Sequence, residues 1–178
     1  MAPDQLPEIV RQIHSELALP SNYAEISKLP FFAETPLSNL VVAELDYTGR
    51  PLVVTAPTAA AWLRMSDAAR RDGVELFCFS GFRGYVYQRG LIEAKLKKGV
   101  ALHEILRVLA APGYSEHHSG RAIDITAVGC PPAEGVFATT TAYSWLCANA
   151  SMFGFSETYG SNHPYTIMYE PWHWCFNG

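Results

Sequence analysis

Apolar residues recur at helical spacing near the N-terminus, where Leu6, Ile9, Val10, Ile13 and Leu17 share one face and Pro20 closes the segment. Pro20, Pro30 and Pro36 then break the pattern, which predicts an irregular arm over residues 20–38 laid across the core. A strand is expected at 39–46, a turn at Thr48 and Gly49, and a second strand at 52–55. Residues 57–72 read as a helix with Trp62, Met65 and Ala69 on its apolar face, ended by Gly73. A short apolar strand follows at 74–80, and then a helix at 85–97 weakened by Gly90. Leu102, Ile105, Leu106 and Leu109 mark another helix, residues 122–127 a strand, and 130–135 a Pro/Gly loop. Residues 139–153 form a helix with Ala142, Leu146, Ala150 and Phe153 inward, and 165–176 two short strands or a hairpin. Helices and strands mix without βαβ regularity, so the fold class is α+β. The length of 178 residues fits one domain, divided here into an N-terminal helix and arm at 1–45 and a main body at 46–178.

Composition narrows the function classes. Charged residues make up 17% and hydrophobic ones 49%, which excludes a disordered chain. The net charge of −4 argues against nucleic acid as a partner, because phosphate-backbone binding needs a cationic excess. No apolar run reaches the ~20 residues that span a bilayer. Residues 1–20 lack the basic start and apolar stretch of a signal peptide. The protein is therefore cytoplasmic, or it belongs to the cell envelope or periplasm with its export signal removed. Cys78, Cys130, Cys147 and Cys175 contain no C-x-x-C pair, which disfavours a thiolate metal site. One or two disulfides are open to a protein working outside the cytosol, but the apolar run around Cys78 and the helical pattern around Cys147 fit buried thiols better.

The chemistry concentrates in two strings, Ser115-Glu-His-His-Ser-Gly-Arg-Ala-Ile-Asp124 and Tyr169-Glu-Pro-Trp-His-Trp174. A catalytic zinc takes three protein ligands from His, Asp or Glu and leaves a fourth position open. His117 in a loop, Asp124 on the following strand and His173 on the terminal strand make such a His₂Asp set. Glu170, three residues before His173, is the candidate base that takes a proton from the attacking water. Arg83, after a buried strand, is the candidate cation for the developing oxyanion. His118 reads as a neighbour of the site or a surface residue, His163 as a loop histidine, and His14 and His103 as surface residues. The aromatic cluster Tyr165, Tyr169, Trp172, Trp174 and Phe176 reads as core.

The pattern Ser115-x-His117-x-x-Gly120-x-Ala122-x-Asp124, followed by Glu170-Pro-Trp-His173, resembles the VanY-type D,D-carboxypeptidases. That metallopeptidase group also holds lysostaphin-type enzymes and the hedgehog signalling domain. The resemblance extends to Ser80-Gly-Phe-Arg83-Gly-Tyr85-Val-Tyr-Gln88, to Ala111-Pro-Gly113 and to the stretch from Phe137 to Leu146, covering about residues 50–176. It implies a small α+β domain whose central antiparallel sheet carries zinc. By the same resemblance, His117, Asp124 and His173 match the zinc ligands, Glu170 the base and Arg83 the arginine on the substrate carbonyl. Gln88 and Ser115 match positions lining the pocket for a C-terminal D-alanine. The implied substrates are peptidoglycan stem peptides or precursors, cut by D,D- or L,D-carboxypeptidase action. Two alternatives share the site: an endolysin-type endopeptidase, and a zinc-holding binding module without catalysis. Gly84 departs from the serine of many relatives, and Tyr159-Gly-Ser-Asn162 departs from a Tyr-Pro-x-x-Asn form.

Overall fold

The computed structural model describes residues 5–178. Helix α1 (Glu8–Glu16) buries Val10 and Ile13, as its spacing predicts. The arm that follows is not wholly irregular: it contains a short helix, α2 (Tyr23–Ser27), before it runs extended toward β1 (Leu40–Leu45). Strand β1 pairs antiparallel with β2 (Pro51–Thr55), with a bulge between Val42 and Glu44. The turn between them is organised by Asp46. Its carboxylate accepts hydrogen bonds from the Thr48 amide and hydroxyl and from the Arg50 amide and guanidinium.

Helix α3 (Ala56–Arg71) starts with Pro57 in its first turn and buries Trp62, Met65 and Ala69 completely. Strands β3 (Phe77–Ser80), β4 (Ala122–Thr126), β5 (Phe155–Glu157) and β6 (His173–Phe176) form one antiparallel sheet in the order β3-β4-β6-β5. Helices α4 (Tyr85–Leu96) and α5 (Leu102–Ile105) lie between β3 and β4, and α6 (Thr141–Asn149) between β4 and β5. The Thr140 hydroxyl caps α6 by accepting from the Tyr143 amide at 3.1 Å.

Two apolar clusters flank the sheet. Ile123, Ile125 and Trp174 pack with Trp62, Met65, Ala142 and Leu146 of α3 and α6. A second cluster joins Val10 and Ile13 of α1 to Tyr85 and Ile92 of α4, to Ile105, and to Tyr159 and Ile167. Side chains alternate along β4, so with Ile123 and Ile125 in the first cluster, Asp124 faces the opposite side. That opposite side is where the functional residues gather.

Several expectations need correction. The predicted helix through Leu109 stops at Ile105. The helix predicted to reach Phe153 ends at Asn149 and continues as a 3-10 turn from Ala150 to Phe153. Residues 165–172 form no strand; β6 pairs instead with β4 and β5. Cys147 is exposed rather than buried, because it lies off the inward face of α6, whereas Cys78, Cys130 and Cys175 are buried, and all four thiols are free. His14 is no surface residue: it is partly buried and bonds the Pro112 carbonyl oxygen at 2.7 Å.

Two glycines give opposite predictions. A Cβ on Gly81 would lie 2.5 Å from the Val53 carbonyl oxygen, so Gly81→Ala should destabilise by about 1–3 kcal/mol. A Cβ on Gly90 meets nothing within 4 Å, so Gly90→Ala at this exposed position of α4 should stabilise by about 0.5–1 kcal/mol. Urea unfolding midpoints of the two variants test both signs.

Candidate metal centre

Three elements bring the predicted ligands together. Strand β4 presents Asp124, and β6 presents His173 directly opposite it in the antiparallel register. His117 sits on a single 3-10 turn, Glu116–Ser119, that ends at Gly120 in the left-handed region with φ of 64°. Glycine is required twice over there, by the positive φ and because a Cβ would come within 2.8 Å of Leu40, while the Gly120 carbonyl accepts from the Thr55 amide. His117, Asp124 and His173 are almost fully buried, and one ligand atom from each lies within 4.8 Å of the others.

The hydrogen bonds around this triad fix which atoms face inward. His117 Nδ1 lies 2.6 Å from the Gly81 carbonyl oxygen, which can only accept, so Nδ1 carries the proton. The lone pair is then on Nε2, which lies 3.2 Å from Asp124 Oδ2 and has no hydrogen-bond partner. Two buried acceptors facing each other call for a cation between them. On the other side, His173 Nδ1 lies 3.1 Å from Asp124 Oδ1, while Nε2 lies 2.8 Å from Glu116 Oε2. The Thr158 hydroxyl donates to the same Glu116 oxygen at 2.8 Å. His117 Nε2, the Asp124 carboxylate and His173 Nδ1 are thus the inward donors, with a carbonyl and a carboxylate holding the outer nitrogens. Two imidazoles and one carboxylate, with open space beside them, suit a zinc-type ion.

The electrostatics agree. Burial pushes His117 down to about 4, with the Arg83 cation adding to it. Burial alone would also lower His173, but its hydrogen bonds to Asp124 and Glu116 outweigh that and lift it to about 10. Asp124 overcomes its burial through His117, His173 and Arg83 and is held well below the usual carboxylate range. In the metal-free protein the Asp124 and Glu116 carboxylates are thus matched by protonated His173 and by Arg83, and a metal ion bound here would take the place of the His173 proton.

The centre opens into a cleft of about 250 Å³ whose walls include Arg83, Gln88, Ser115, Tyr159 and Glu170. The structure thus gathers all seven residues singled out in the sequence around one cavity. Arg83 Nη2 stands 3.7 Å from Asp124 Oδ2, and its Nε is buried without a partner. The Gln88 amide is anchored by a bond from Nε2 to the Ala110 carbonyl at 2.7 Å, leaving Oε1 buried and unpartnered. Burial pushes Glu170 up to about 7, against the opposing pull of His173. Residues the sequence reading missed are Glu116, which grips His173, and Tyr159, whose ring tilts over His173 with centroids 4.7 Å apart. The position of Glu116 beside His117 was the one available signal for it. His118 is buried and commits its ring nitrogens to the Arg83 carbonyl and the Gly113 amide, so of its two readings the neighbour of the site holds and the surface residue does not.

A family model described as VanY, D-alanyl-D-alanine carboxypeptidase, matches residues 52–178. The chain belongs to this family. A D-alanyl-D-alanine carboxypeptidase of Enterococcus faecalis (strain ATCC 700802 / V583) is 34% identical over 123 residues, covering 63% of this chain and 44% of that protein. Among solved VanY-like structures, the LdcB LD-carboxypeptidase is similar with a TM-score of 0.72 and 29% identity, over 84% of this chain and 72% of that one. A point mutant of the D,D-pentapeptidase VanY from a VanB-type vancomycin resistance cassette, solved with Zn(II), gives 0.62 and 27%, over 82% and 83%. The chain spans 62% and 44% of the lengths of the two curated relatives it matches.

Glu170 yields a prediction about stability. Its carboxyl titrates near 7 when folded, against an ordinary value of 4.5, so between these pH values the folded state keeps a proton that the unfolded state has lost. Its contribution therefore falls as pH rises from about 4.5 to about 7 and stays low above that. Glu170→Gln, neutral at every pH, should stabilise the metal-free protein by about 3 kcal/mol at pH 8 and by almost nothing at pH 4. Thermal unfolding of chelated wild type and variant at both pH values checks this; an equal shift at both would contradict it.

Proposed function

We propose that this chain is a zinc-dependent carboxypeptidase that releases the C-terminal D-alanine from peptidoglycan stem peptides or their precursors, with D,D- or L,D-specificity. The observation that carries the reading is the convergence of His117 Nε2, Asp124 and His173 Nδ1 in a cleft that Glu170 and Arg83 also line. The activity named for the Enterococcus relative, the Zn(II) in the VanY mutant and the peptidoglycan recognition named for LdcB support it.

His117, Asp124 and His173 would hold the zinc ion, which when bound supplies a Lewis acid that polarises a carbonyl and lowers the pKa of water toward ~7. The other steps fall to the side chains. Glu170, made more basic by burial, takes a proton from the attacking water at its carboxylate and returns it to the nitrogen of the departing D-alanine. Arg83 donates to the scissile carbonyl oxygen as it becomes negative, and its partnerless Nε is a donor kept free for that purpose. Ser115 and Gln88 bind the terminal residue, the serine through its hydroxyl and the glutamine through the unpartnered Oε1. Burial of the whole set strengthens each of these interactions.

The test is mass spectrometry of tetrapeptide and pentapeptide muropeptides incubated with the purified chain. Loss of a single alanine is expected, abolished by a chelator and restored by zinc. Glu170→Gln should keep its zinc and lose about 10²–10⁴-fold in rate. Arg83→Ala should lose about 10²–10³-fold. Wild-type hydrolysis by the Glu170→Gln variant would overturn the mechanism, and release of a longer peptide would make the enzyme an endopeptidase.

A further inference from the structure

His118 follows a proposed zinc ligand in the chain but serves a different partner. Its side chain is fully buried. Nδ1 lies 2.5 Å from the carbonyl oxygen of Arg83, and Nε2 lies 3.1 Å from the backbone nitrogen of Gly113. A carbonyl only accepts and an amide N–H only donates, so these partners fix the ring as the neutral tautomer with its proton on Nδ1. The ring spans two loops, with one nitrogen committed to each. The edge of Tyr85 packs against it, with ring centroids 4.7 Å apart.

Arg83 lies between β3 and α4, outside any strand ladder or helix. Its backbone is held by two consecutive histidines: the amide donates to the His117 carbonyl at 3.2 Å, and the carbonyl accepts from His118 Nδ1. The 3-10 turn that carries His117 therefore also carries the clamp on Arg83. The arm secures the far side of that turn, because the Thr35 amide donates to the His118 carbonyl at 2.9 Å.

We propose that His118 is a positioning residue that fixes the Arg83 backbone, and through it the guanidinium, relative to the metal centre. The proposal rests on the carboxypeptidase reading for the role of Arg83. Errors of about 1 Å in the placement of a group that stabilises the transition state cost about a hundredfold in rate, so a single backbone hydrogen bond has room to matter.

Two substitutions separate the two hydrogen bonds of the ring. In His118→Asn the amide nitrogen falls near the place of Nδ1 and can still donate to Arg83, but nothing reaches Gly113. In His118→Gln the amide oxygen falls near the place of Nε2 and can still accept from Gly113, but the Arg83 carbonyl is left without its donor. The readouts are kcat and KM for D-alanine release, bound zinc, and hydrogen exchange of the peptide spanning residues 80–86. Both variants should bind zinc. His118→Asn is expected to keep kcat within about threefold of wild type, and His118→Gln to lose about tenfold or more in kcat with little change in KM. Exchange over residues 80–86 should quicken in His118→Gln but not in His118→Asn. The His118→Gln loss should disappear in an Arg83→Ala background. Equal losses in both variants, equal exchange in both, or full additivity with Arg83→Ala would overturn the proposal. If zinc-loaded wild type releases no D-alanine, the carboxypeptidase reading fails, and the exchange comparison still decides whether His118 holds this loop.

Discussion

The pairing of Asp124 with His173 across β4 and β6 is the constraint on which the rest of the structure depends. Side chains alternate along a strand, so a slip of one residue in β6 would turn His173 away and put Trp174 in its place. The apolar face prevents that slip. Ile123 and Trp174 are paired in the same register and buried beneath α3 and α6, so the hydrophobic core on one face sets the polar geometry on the other. A buried carboxylate such as Asp124 is costly unless it is compensated. Here two imidazoles and Arg83 surround it, and the layers outside them, Gly81 and Glu116, hold the imidazoles in turn.

Burial also sets the reactivity. The environment that keeps His117 a neutral donor raises Glu170 to near 7, within reach of proton transfer at neutral pH. The raised Glu170 works against the stability of the metal-free fold above about pH 4.5, whereas His117, already neutral, costs little near pH 7. The arm braces the loops around the centre from outside. The Phe32 amide bonds the Gly113 carbonyl, the Thr35 side chain bonds Ser119, and Glu34 accepts from the Tyr85 amide at the start of α4. The N-terminal segment therefore touches the loops on both sides of the centre.

Much of this was legible in the sequence, for physical reasons that also mark where legibility ends. Helices α1 and α3 declared themselves because burial selects apolar residues at helical spacing, and Trp62, Met65 and Ala69 are all fully buried. The ligands were legible because His117, Asp124 and His173 are side chains with few other reasons to recur in that order. The partners of Glu116 and His118 were not, because these side chains bond a histidine nitrogen and a distant carbonyl, and no local spacing encodes such contacts. The tail misled because its aromatic residues fit a strand as well as a packed loop. The choice of β5 as the partner of β6 is made by the sheet and not by residues 165–172.

The most direct test of the account is X-ray absorption at the zinc edge of the protein loaded with one equivalent of metal. The account predicts one ion bound by two imidazole nitrogens and carboxylate or water oxygen at about 2.0–2.1 Å, with the imidazole signal reduced in His117→Ala and in His173→Ala. A sulfur shell near 2.3 Å, or an unchanged spectrum in both variants, would place the metal elsewhere and contradict it.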